Sequence, residues 1–101
     1  MARLTYVFWR DIPAQVIVAK GRRDQVKKPL DERFEKAIDR AAMRDDAKDS
    51  ESYLADWRKE VVGEVSDDMA MEADKAASAL EAKFDNEALK ALVNNGGRTV
   101  G

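Results

Sequence analysis

The chain contains no cysteine and no histidine. Disulfides, thiolate nucleophiles, Cys/His zinc sites and imidazole acid–base chemistry are therefore excluded. Long apolar runs are missing as well, and with a mean hydropathy of -0.58 nothing reads as a membrane-spanning helix. The stretch Leu4–Trp9 is too short for the core of a secretory signal and runs straight into Arg10 and Asp11, so a cytoplasmic location is the default expectation. Proline occurs only at positions 13 and 29. Neither an internal repeat nor a low-complexity tract is present. What remains is a 101-residue chain, 45% hydrophobic and 38% charged. That length suits one small domain, and the apolar fraction is too high for a disordered tail.

A formal net charge of -2 hides a partition. Residues 1–30 carry seven Lys/Arg against Asp11 and Asp24, a net of +5, and residues 31–101 carry -7. Five of the seven cations, Lys20, Arg22, Arg23, Lys27 and Lys28, fall within one short stretch interrupted by a single acid, Asp24. A basic lip on an acidic body influences the choice of partner, although a solvated loop has the same composition.

Leu4–Trp9 is rich in aromatic and β-branched residues, which suit a pleated surface. Arg10-Asp11-Ile12-Pro13 reads as a turn, because Pro13 fixes its own φ and pushes Ile12 out of the helical region. Ala14–Ala19 is a second strand, ending at Gly21, and the pair forms an antiparallel hairpin. Both strands are apolar on both faces, so the hairpin is expected inside a sheet. Residues 20–28 are expected to be a loop leading to Pro29, a good helix-start residue. Leu30, Phe34, Ala37, Ile38, Ala41 and Ala42 then recur at helical spacing and predict an amphipathic helix to about Arg44. Asp49 or Ser50 can cap a short helix holding Tyr53, Leu54 and Trp57. Lys59–Val65 is read as a third strand, on its β-branched content and Gly63, although Val61, Val62 and Val65 would also extend a helix. Ser66-Asp67-Asp68 starts a helix whose stripe is Met69, Ala73, Ala76, Ala77, Leu80 and Phe84. Asp85 or Asn86 caps a last helix bearing Leu89, Leu92 and Val93, closed by Asn94-Asn95-Gly96-Gly97. The expectation is an α+β fold of order β-β-α-α-β-α-α, a small antiparallel or mixed three-stranded sheet with helices packed on it. It occupies residues 1–95 as a single domain, with 96–101 as a flexible tail.

Candidate chemistry is sparse. Asp45, Asp46 and Asp49, and Asp67, Asp68 and Glu64, are the densest carboxylate clusters, but neither has the alternating spacing and central glycine of a calcium loop. Helix capping and solvation explain them. The serines lack the Ser-x-x-Lys spacing of serine–lysine enzymes, and Gly96-Gly97 follows a helix where a phosphate loop would precede one. No cofactor, metal or catalytic residue is expected, and an enzyme acting alone is disfavoured. Two binding readings stay open. In the first, a protein partner contacts the turn Trp9, Arg10, Asp11 and Pro13, which holds residue types enriched in interface hot spots, and the basic segment Lys20, Arg22, Arg23, Lys27 and Lys28. In the second, the same basic loop grips phosphates of single-stranded nucleic acid while Tyr6, Phe8 and Trp9 stack on bases, against the handicap of an acidic chain.

Residues Trp9 to Val18 (WRDIPAQVIV), Pro29, Arg33-Phe34, Ala37–Met43 (AIDRAAM) and Tyr53–Arg58 (YLADWR) resemble the small bacterial "virulence factor" domain family over most of residues 3–84. That resemblance implies no catalytic residues. It implies an accessory subunit associated with corrinoid and tetrahydrofolate methyl-transfer proteins; the histidine that usually ligates a corrinoid is absent from this chain.

Overall fold

A computed structural model describes residues 1–44 and 54–97. Among the described residues the elements are β1 (Ala2–Trp9), β2 (Ile12–Lys20), β3 (Asp24–Pro29), α1 (Glu32–Arg44), β4 (Trp57–Val65), α2 (Met69–Lys83) and α3 (Asn86–Asn94). The strands form one antiparallel sheet of order β3-β2-β1-β4. The expected hairpin β1–β2 is thus central, as its apolar residues on both faces require.

Two expectations need correction. The basic segment is mostly strand: β3 pairs with β2 from Lys20↔Asp24 to Gln15↔Pro29, which makes the sheet four-stranded and the order β-β-β-α-β-α-α. An edge strand needs only one inward residue, and here it is Val26, opposite the fully buried Val18. The lysines around it read as a loop in the sequence. Pro29 consequently ends β3, and Leu30 still donates its N–H to the Ala14 carbonyl before α1 begins at Glu32. Trp57, expected on a short helix, opens β4 opposite Trp9; most of that expected helix lies outside the described residues.

Lys59–Val65 is strand, as read, and Gly63 has a local reason to be there. The β1–β4 register shifts between Leu4 and Thr5, so Val62 has no partner, and the neighbouring Gly63 has φ +154°. Such a bulge bends an edge strand and raises its twist. A second shift between Val7 and Phe8 leaves Ala14 of β2 unpaired.

The core is a contiguous cluster. Leu4, Trp9, Ile12, Val16 and Val18 come from the sheet, and Phe34, Ala37, Ile38, Ala41 and Ala42 from α1. Ala73, Ala76, Ala77 and Leu80 of α2 and Leu89 and Leu92 of α3 complete it. Each buried residue of these helices sits on the stripe that the helical period predicts. Burying a side chain such as Phe34 or Ile38 contributes roughly 1.5–3 kcal/mol. The alanines let α2 lie close across β2 and β3, while α1 crosses β2 and packs on α3. Asp68 caps α2, accepting from the Met71 N–H, and Asp85 caps α3, accepting from the Ala88 N–H at 2.8 Å.

Candidate docking surface

The β1–β2 connection is only two residues long, and Arg10 adopts φ +56°. Tight hairpins need a positive φ at this place, yet for a residue with a Cβ it is costly, by about 1–2 kcal/mol. Arg10 persists there because the surroundings hold it from several sides. Its N–H donates to the Asp56 carbonyl at 2.9 Å, and its Nε to Asp56 Oδ2 at 2.9 Å. Nη1 donates to the Gly96 carbonyl, and the guanidinium lies 4.5 Å from the Trp9 ring centroid. Arg58 closes the other side: its Nε donates to the Arg10 carbonyl at 2.8 Å, its Nη2 to Asp11 Oδ1 at 3.2 Å, and its guanidinium covers Phe8. The Asp11 N–H donates to the Gly97 carbonyl at 2.8 Å.

That arrangement assigns the turn a structural task. Trp9 and Pro13 are fully buried and Arg10 is 8% exposed, so none of the three offers a face to a partner; Asp11 is half-buried. The stacking faces available to a nucleic acid shrink with them, since Phe8 is buried and the half-buried Tyr6 meets it edge-on at 6.1 Å. Gly96 and Gly97, expected in the flexible tail, are bound to this turn; residues 98–101 lie outside the described residues.

The basic segment lies elsewhere. The nine residues of β2 separate the turn from Arg22 and Arg23, roughly 25 Å along an extended chain. Arg22 and Arg23 are therefore not contiguous with the turn, whereas β3 runs back toward it and sets Lys27 and Lys28 opposite Ile17 and Val16. Strand alternation also divides the cations. Lys28 pairs with Val16 on the face that α2 covers, and its Nζ reaches Asp74 at 2.9 Å. Lys20 reaches Asp67 in the same way at 3.1 Å. The Lys20 hydrogen bond and charge, with the N-terminal ammonium, hold the Asp67 carboxyl below its ordinary value of 3.8. Lys27 pairs with Ile17 and stands on the opposite face. Arg22, Arg23 and Lys27 are exposed and make no ion pair among the described residues.

Sequence reasoning missed Asp56, Arg58, Gly96 and Gly97 as partners of the turn. No local spacing signals them, because the contacts span 46 and 86 residues. Among the described residues no group of three or more Asp or Glu is placed to hold a metal ion, and no helix is long and apolar enough to cross a membrane. Of the two acidic clusters, Asp67 and Asp68 serve as ion-pair partner and helix cap. Asp45, Asp46 and Asp49 lie outside the described residues.

Fold and surface together define a small α+β domain with a basic sheet edge on an acidic body. A family model described as "Virulence factor" matches residues 7–93, and the chain belongs to that family. No curated protein and no solved structure matches it.

Proposed function

We propose that this chain is a non-catalytic accessory domain that docks an acidic segment of a partner protein on the edge strand β3. One observation carries the reading. β3 ends the sheet, so every second residue turns its backbone N–H and C=O away from β2; the strand carries Lys27 and is preceded by Arg22 and Arg23, three cations that no acid of the described chain neutralises. Lysines on a sheet edge repel a second copy of the same strand. A strand that carries carboxylates is welcomed, because it completes the hydrogen-bond ladder and neutralises the cations together. The family resemblance supports a corrinoid or tetrahydrofolate methyl-transfer system as the setting of that partner. Nucleic acid is the weaker reading, since the aromatic side chains it would use are in or against the core.

Co-purification from the native cell tests the proposal. Reversal of Arg22, Arg23 and Lys27 to Glu is expected to abolish the complex. Hydrogen exchange on the wild-type complex is expected to slow at the β3 amides. A folded triple-reversal variant that still captures the same partner, or a complex with β3 exchange unchanged, overturns it.

A further inference from the structure

α1 and α3 pack together and leave a groove of about 610 Å³ between them. This volume falls within the range of small-molecule sites, roughly 300–1,000 Å³. Its walls invert the charge of their surroundings. Residues 31–101 hold 18 acids and 11 cations; Arg33, Lys36, Arg40 and Lys90 line the groove, and among the described residues no acid does. The three cations of α1 share one helical face by their spacing of three and four, and Lys90 faces them from α3.

The cations differ in how committed they are. The Arg33 guanidinium is committed: it donates to the carbonyls of Glu81 and Phe84 at the end of α2 and pairs with Asp31 at 3.5 Å. Lys36 makes an exposed pair with Glu32 at 3.5 Å, which a stronger anion displaces at little cost. Arg40 and Lys90 are exposed and make no ion pair among the described residues. Asn86 and Asn94 add amide donors at the groove's rim, and Ala37, Leu89 and Val93 form an apolar floor.

We propose that this groove binds an organic polyphosphate of the nucleoside di- or triphosphate class. Arg40 and Lys90 make no ion pair among the described residues and Lys36 is only weakly held, so a monoanion leaves part of this charge uncompensated, whereas an oligophosphate matches it. Guanidinium forks and lysine ammoniums are the side chains that grip phosphate oxygens, and a floor of aliphatic side chains takes the attached organic group. The groove uses no residue of β3, so this assignment stands or falls separately from the docking edge.

The test is a titration of the isotope-labelled chain with magnesium-free ATP, inorganic triphosphate and adenosine at low salt, followed by amide chemical shifts. ATP is expected to shift amides on the facing sides of α1 and α3 and to bind more tightly than triphosphate, while adenosine produces no saturable shift. Arg40→Gln with Lys90→Gln, both at exposed positions, is expected to weaken ATP binding roughly tenfold or more at an unchanged circular dichroism spectrum, the worth of a charge-assisted hydrogen bond. The proposal is overturned if ATP shifts cluster at Arg22 and Arg23, or if the double variant binds like wild type. Triphosphate binding as tightly as ATP overturns the role of the apolar floor.

Discussion

Replacing Gly97 with alanine probes the closure of the hairpin turn against the end of α3. Gly97 has φ +84°, and a Cβ added there comes 3.0 Å from Trp9 Cζ3, with Ala41 Cβ and Arg10 Cδ each at 3.4 Å. Trp9 is fully buried, so its ring has no room to retreat. The positive φ costs alanine about 1–2 kcal/mol. Overpacking against a fixed aromatic ring adds about 1–3 kcal/mol. The combined loss is roughly 2–5 kcal/mol, which lowers the melting temperature of a domain this size by roughly 10–30 °C. Gly21 provides the internal control. It has φ +73°, but a Cβ at that position meets nothing within 4 Å, so Gly21→Ala carries only the backbone cost. Stiffening of the unfolded chain offsets part of that cost, leaving about 1 kcal/mol. Thermal melts by circular dichroism compare the two. Equal melting temperatures for Gly97→Ala and Gly21→Ala would refute the packing of the C-terminal turn onto Trp9.

Asp56→Asn removes the carboxylate that pairs with the Arg10 side chain, itself 6% exposed. Because Arg10 keeps the Gly96 carbonyl and the Trp9 ring, the loss in urea unfolding is expected near 2–3 kcal/mol, below the full cost of breaking a buried pair; a change under about 0.5 kcal/mol contradicts the role given to that pair. Asp67 is expected to titrate by carbon NMR below its ordinary value of 3.8, and Lys20→Met to move its midpoint upward. Since the folded value is the lower one, its contribution is present above the ordinary value and is lost as pH falls through the folded value; an identical midpoint in the variant argues against the Lys20 contact. Reversing Arg22, Arg23 and Lys27 is expected to leave stability within about 0.5 kcal/mol of wild type, because all three are exposed and make no ion pair among the described residues. A larger loss in denaturant would assign them to the fold instead.

The helices are legible in the sequence because burial on a helix leaves a periodic trace, and the stripes of α1, α2 and α3 carry it at every buried position. The β1–β2 hairpin is legible from its apolar residues and the Pro13 turn. β3 is not, since a single inward valine among charged residues has no period to detect. Trp57 escapes a local reading for a related reason: its position is set by pairing with Trp9, which its own neighbours in the chain do not encode. At the surface, composition locates the cations but not their orientation. Only the register separates Lys20 and Lys28, turned to the acids at the start of α2, from Lys27 on the other face. Burial is likewise hidden at Trp9 and Pro13, because residues that anchor an interface and residues that anchor a core are the same types. The α1 cations at positions 33, 36 and 40 share a face by spacing alone, but their meeting with Lys90 depends on how α1 and α3 pack.

The docking edge is tested most directly by hydrogen exchange on the complex captured from the native cell. Slowed exchange is expected at alternate amides of β3, within Asp24 to Lys28, when the partner is bound, and no complex when Arg22, Arg23 and Lys27 are reversed to Glu. Protection confined to other elements, with β3 exchanging as in the free protein, would contradict it.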